Sequence, residues 1–115
     1  MNLLDIPELP VSLDNVREML GNDPAREKEL FQIFIDSAEE SLEAMRKSCG
    51  VGAEEIWRTK AHAMKGMSLN LGATKLGEAC ALAQQSNTAP PDVKEKLLAD
   101  IHAEYAKVKE FLQSQ

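Results

Sequence analysis

Gly and Pro fall between the amphipathic stretches of this 115-residue chain and scarcely ever inside them, so the punctuation itself divides it into five helical segments. The first, after Pro7 and Pro10, runs from Ser12 to Leu20, with Ser12 at the N-cap position, Asp14 in the first turn and Leu13, Val16 and Leu20 at helical spacing. It ends at Gly21. The second opens on Asn22-Asp23-Pro24, a cap followed by Pro at the first helical position, and carries Leu30, Phe34, Ala38, Leu42 and Met45 on one stripe before Gly50 closes it. The third runs from about Ala53 to Leu71, the fourth from about Thr74 to Ser86, and the fifth, after Pro90-Pro91, from about Asp92 to Leu112. In the last, Val93, Leu97, Ile101, Tyr105, Val108 and Leu112 recur at steps of three or four, the seam of a helix packed along a bundle.

Four substantial helices with short connections predict an all-α fold, an antiparallel up-down four-helix bundle with a short additional N-terminal helix lying across one end. One domain spanning residues 1–115 accommodates them. Aromatic residues make up only 4% and helix formers dominate, so no sheet is expected, while 43% hydrophobic residues suffice for a core without disulfides or metals. Nineteen acidic side chains against thirteen basic ones, a net charge of -6, give the wrong sign for binding nucleic acid. The opening MNLLDIPELP has no basic residue and no apolar stretch of signal or membrane type, which predicts a cytoplasmic protein away from membranes. Met1 favours a free-standing chain. Cys49 and Cys80 have no zinc-type companions and read as reduced thiols, and the dispersed acidic residues read as a solvated face.

A bundle has no intrinsic chemistry, so function has to come from a residue the fold does not require. At 100° per residue, Trp57, Lys60, Ala61, Met64, Met67, Ser68 and Leu71 fall within about 60° of one direction and form the buried stripe, with Lys60 at its edge. His62 then projects about 160° from the stripe centre, on a face shared with Glu55, Arg58, Thr59, Lys65, Gly66 and Leu69. Gly66 stands at i+4, where a side chain is expected to crowd the imidazole, and a helix-interior Gly costs about 1 kcal/mol relative to Ala. Lys65 at i+3 puts a cation beside the same ring. A neutral imidazole with room beside it and a cation nearby suits a nucleophile that accepts a phosphoryl group. Surface histidines are ordinarily just solvated, and a helix Gly ordinarily serves close packing, but Gly66 lies on the side away from the core. His102 has Tyr105 and Ala106 at i+3 and i+4 and is given no role. Cys80 faces inward as a small apolar filler, and Cys49 sits at a helix end.

The run Ala61-His62-Ala63-Met64-Lys65-Gly66-Met67-Ser68-Leu69-Asn70-Leu71-Gly72-Ala73 resembles the H-x-x-K-G-x-S-x-x-L-G signature of histidine-containing phosphotransfer (HPt) domains. The likeness continues through Leu76, Ala79, Cys80 and Leu82, and the five-helix plan covers essentially the whole chain. The resemblance implies that His62 accepts a phosphoryl group from the aspartate of a receiver domain and passes it to another. It implies phosphate stabilisation by Lys65, clearance by Gly66, and a hydrogen bond from Gln84 near the imidazole. Ser68 matches the family's small residue, although the helical wheel turns it to the core. Independently of the family, His62 and Gln84 lie ten and twelve residues from the turn at Gly72, hence at similar heights on antiparallel neighbours.

The expected function is a monomeric, stoichiometric phosphoryl carrier with no kinase activity and no cofactor of its own, Mg²⁺ being supplied by the partner receiver domain. Partners are response-regulator receiver domains, a hybrid sensor histidine kinase, or both. Leu69, about 20° from His62 and two turns along, leaves an apolar side chain beside the site; with Arg58, Ala63 and the exposed side of the fourth helix near Gln84 it forms the expected partner footprint. The rival expectation is a pseudo-HPt adaptor, a bundle of the same kind that binds a receiver or another signalling protein without being phosphorylated.

Overall fold

A computed structural model describes residues 9–115, and its regular structure is five helices: α1 (Asp14–Met19), α2 (Pro24–Lys47), α3 (Glu54–Leu71), α4 (Thr74–Gln85) and α5 (Pro91–Gln113). No strand occurs among the described residues. Pro7, Met1 and most of the N-terminal stretch considered above lie outside them. Local chemistry sets the boundaries. Asp23 caps α2 in extended conformation, its carboxylate accepting from the amides of Ala25 at 3.0 Å and Arg26 at 3.4 Å, with Pro24 at the first helical position. α3 stops where Gly72 turns left-handed at φ 94°, and the carbonyl of Ser68 accepts from both Gly72 and Ala73.

α2 packs on α3, α3 on α4, α4 on α5 and α5 back on α2, closing the expected antiparallel bundle. Phe34, Ala38, Leu42 and Met45 of α2, Trp57, Ala61, Met64 and Leu71 of α3, and Leu76 and Cys80 of α4 fill the centre. α1 lies across the end where α2 begins and α3 and α5 finish, with Val11, Leu13 and Val16 buried beneath it. Arg17 ties it to Glu27 at 2.8 Å and to Gln115 at 3.1 Å.

Three expectations change. Ser12 does not cap α1, which starts at Asp14 after Leu13 without a side-chain cap. Its backbone amide instead donates to Gly72 O at 3.0 Å, and a Cβ on Gly72 would stand 2.0 Å from Ser12 O, so this close approach as well as the left-handed φ requires glycine. The first half of the α5 seam is shifted by one residue: Lys94 and Leu98 are buried, Leu97 is half-buried and Val93 is 41% exposed. Counting back from Ile101, steps of three and four lead to Leu98 and Lys94, a path that a charged residue hides from a search for apolar positions; the lysine is accepted because the face of Trp57 lies under its ammonium at 5.3 Å. Leu30 and Met67, placed on buried stripes, are only half-buried, because both line an open groove between α1, α2 and α3.

Candidate functional site

α3 packs α2 on one flank and α4 on the other, so only its outer face is open, and His62 stands on that face midway along the helix. Glu55, Arg58, Thr59, Ala63 and Leu69 are exposed around it, and Lys65 and Gly66 half-exposed, as the helical wheel requires. Arg58 grips Glu55 with two nitrogens, Nε to Oε2 being 3.2 Å, and this pair holds the Glu55 carboxyl below the usual glutamate range. The fork keeps one turn of the His62 face occupied by a neutralised charge pair rather than a lone carboxylate that would repel phosphate.

A Cβ built on Gly66 meets nothing within 4 Å. That corrects the expected crowding: a methyl group there stands in open space and does not reach the imidazole. Lys65, at i+3, borders the same space from the α4 side.

Gln84 is half-buried on α4, and one contact sets its height relative to His62. The side chain of Leu69 lies over Gly77, where a Cβ would be 2.5 Å from Leu69 Cδ2. From that contact, His62 is seven residues back along α3 and Gln84 seven forward along α4. In antiparallel helices both steps travel about 10 Å in the same direction. The two residues therefore stand level, on the stripe that Gly77 begins and Ala81 continues.

Ser68 is fully buried, and among the described residues its Oγ is the buried side-chain oxygen without a hydrogen-bond partner. It belongs to the core, as its wheel position requires. His102 lies exposed on α5, lining a shallow depression with Arg46 and Tyr105 on the α2 side, away from α3. Cys80 is buried, which pushes its thiol up to about 12, and Cys49 is half-buried at the end of α2. Among the described residues no three His, Cys, Asp or Glu side chains gather as a metal site, and no helix is long and apolar enough to cross a membrane.

Two features escaped the sequence. One is Gly77, a helix-interior glycine whose only signal was its helix-breaking identity. The other is the groove of about 500 Å³ on the α2 flank of α3, lined by Val16, Met19, Leu30, Ile33, Phe34 and Met67. Met19 and Ile33 are 71% and 55% exposed there, apolar residues that fall off the stripes their helices bury.

The Hpt domain family model matches residues 29–111, which includes all of α3 and α4 and most of α2 and α5. Among solved structures, the crystal structure of histidine-containing phosphotransfer protein B from Pseudomonas aeruginosa PAO1 superposes with a TM-score of 0.78 at 23% sequence identity, covering 94% of this chain and 95% of that one. This likeness establishes the shared fold. No curated protein matches the sequence significantly. With the family model covering well over half of the chain, including all of the helix that carries His62, the chain belongs to the Hpt domain family.

Proposed function

We propose that this protein relays phosphoryl groups between receiver-domain aspartates through His62. The observation that carries this reading is the open face of α3: an exposed imidazole, unfilled space over Gly66, Lys65 beside it and Gln84 level with it. An unprotonated imidazole nitrogen attacks the phosphorus of an aspartyl phosphate. The P–N bond forms as the P–O bond to the aspartate breaks, and the carboxylate leaves with its electron pair. Lys65 offsets the added charge, and Gln84 orients the ring. Transfer to a second receiver is the reverse of these steps, so the chain acts as a stoichiometric carrier without kinase chemistry. Mg²⁺ comes with the receiver's acidic pocket.

The receiver covers His62 and contacts Leu69, Arg58 and Ala63, and its footprint continues onto the groove at Met19 and Ile33, which shares the same flank of α3 with Ala63. The protein works as a monomer in the cytoplasm, where receivers and hybrid sensor kinases supply and take the phosphoryl group.

The test is incubation with a phosphorylated receiver. The expected product is an acid-labile, base-stable label at His62 that His62→Gln abolishes while helicity and Tm stay nearly unchanged, since an exposed imidazole contributes little to the core. Binding of the receiver without any label would favour the adaptor reading, and an acid-stable product would move the site to a hydroxyl.

A further inference from the structure

Trp57 heads the fully buried side chains of the bundle by size, and it does more than fill space. Its indole N–H donates to the backbone carbonyl of Ala83 at 2.7 Å, across from α3 to the last turn of α4. The carbonyls of a last turn have no partner further along their own helix. The carbonyl of Leu82 is taken by Ser86 Oγ at 2.9 Å, and the carbonyl of Ala83 also accepts the Ser86 amide at 3.1 Å, bonds that stay within α4 and its cap. Among the described residues, the Trp57 bond is the hydrogen bond that fastens this turn to another helix. The indole is itself held from α5, where the buried Lys94 sets its Nζ 5.3 Å from the ring centroid. α4 is the shortest of the four bundle helices, and helix ends are where local opening starts, so a tie from another helix at its last turn restrains fraying there.

The residue after Ala83 is Gln84. We infer that Trp57 is a positioning residue for His62: it pins the last turn of α4 through Ala83, and so holds Gln84, the next residue, at the height of the imidazole five residues along its own helix. The inference rests on the phosphoacceptor reading of His62 and adds to it a link that runs from the core face of α3, through α4, back to the outer face of α3. A tryptophan that merely packs would stabilise the bundle without any influence on the imidazole.

The experiment compares wild type, Trp57→Phe, Gln84→Ala and the double variant. Two quantities are read on each: the ¹⁵N tautomer signature of the His62 ring, and the rate of His62 labelling by phosphoramidate. Trp57→Phe keeps an aromatic ring and removes the donor. It is expected to shift the tautomer signature in the same direction as Gln84→Ala and to slow labelling by up to about tenfold, because small misplacements are felt strongly at a reacting centre. The double variant is expected to be no slower than Gln84→Ala alone, the non-additivity of residues acting through one another. Should Phe fail to fold, 3-benzothienylalanine at position 57, isosteric with Trp but lacking the N–H, makes the same comparison. The inference is overturned if the position 57 variant lowers Tm while leaving ring signature and rate at wild-type values, if the two effects multiply, or if Gln84→Ala itself leaves the imidazole unchanged. Labelling of wild-type His62 is a separate readout: its absence would count against the phosphoacceptor reading, whereas labelling with a silent Trp57→Phe would count against this inference alone.

Discussion

Leu69 on α3 lies in the notch left by Gly77 on α4, so that a Cβ added to the glycine would stand 2.5 Å from Leu69 Cδ2 and 2.9 Å from its Cγ. The leucine is consequently 48% exposed although it shares the outward face with His62. The contact marks the register of the α3–α4 pair.

Gly77→Ala is expected to push Leu69 outward while leaving overall stability within about 1 kcal/mol of wild type. Alanine gains about 1 kcal/mol of helix propensity, and rotating a leucine off its preferred rotamer costs about 0.5–1.5 kcal/mol. The clashing atoms are the flexible end of a side chain, so the helices need not separate. Urea denaturation measures the balance and methyl NMR the displacement. Unmoved Leu69 methyl signals would show that the notch is not what holds the side chain down.

Gly66 separates two kinds of substitution. Since a Cβ there meets nothing within 4 Å, Gly66→Ala is expected to stabilise the protein by up to about 1 kcal/mol and to retain labelling by phosphoramidate. Gly66→Val extends methyl groups into the space proposed for the phosphoryl group, and labelling should fall by about tenfold or more while the fold persists. Equal rates for glycine, alanine and valine would remove the clearance role.

The helix ends and the His62 face were legible because each rests on local rules: Asp23-Pro24 for a start, Gly72 for a stop, and 100° per residue for which side chains point outward. What escaped depends on neighbouring helices. Lys94 reads as a solvated charge until Trp57 is placed under it, and Ser12 reads as a cap until the backbone of Gly72 claims its amide. The α2 flank groove was hidden for the same reason, since Met19, Ile33 and Met67 belong to three different helices whose meeting no single periodicity records. Gln84 was placed level with His62 by counting from Gly72, and the Leu69–Gly77 contact leads to the same height by an independent route.

Ser68 carries a hydroxyl that is buried without a partner. An unsatisfied buried polar group costs about 1–3 kcal/mol, whereas alanine at this site loses only one atom. Ser68→Ala is therefore expected to stabilise the protein by about 1 kcal/mol and raise Tm by about 4 °C for a domain of this size. Phosphoramidate labelling of His62 should be unchanged, because Ser68 faces the core. A drop in Tm would mean that the hydroxyl has a partner, such as an internal water.

Acid should weaken the α2–α5 contact. Lys109 at 2.7 Å and the Tyr105 hydroxyl at 2.8 Å bond the Glu39 carboxylate and hold it below the usual glutamate range. A lowered carboxyl contributes stability that is present above the unfolded value of about 4.3 and is lost as pH falls through the folded one. At the other extreme, burial and Glu39 push the Tyr105 phenol up, so its contribution holds below the ordinary value of about 10 and is lost above it. Urea midpoints at pH 7, 4 and 3 are expected to fall more steeply in wild type than in Glu39→Gln. Parallel curves would show that this cluster does not set the acid limb.

Docking can be separated from chemistry by substituting apolar residues on either flank of His62. Leu69 adjoins the imidazole on the α4 side, and Ile33 is the exposed wall of the groove on the α2 side. On the proposed function a receiver covers His62 to deliver its phosphoryl group, and apolar anchors at the desolvated middle of such an interface carry a large part of the affinity. Leu69→Asp and Ile33→Asp are each expected to weaken receiver binding by about 1–3 kcal/mol, the usual effect of losing an interface anchor. Both are exposed enough for Asp to be solvated, so Tm should fall only modestly, and phosphoramidate, too small to need either flank, should label His62 at the wild-type rate. Calorimetric titration with a receiver measures the loss, and amide shift mapping locates it. If Ile33→Asp weakens binding and Leu69→Asp does not, the footprint lies wholly over α1, α2 and α3 and the role of Leu69 ends at its packing on Gly77; perturbations centred on Tyr105 instead would put the receiver on the wrong side of the bundle for His62 to be its acceptor.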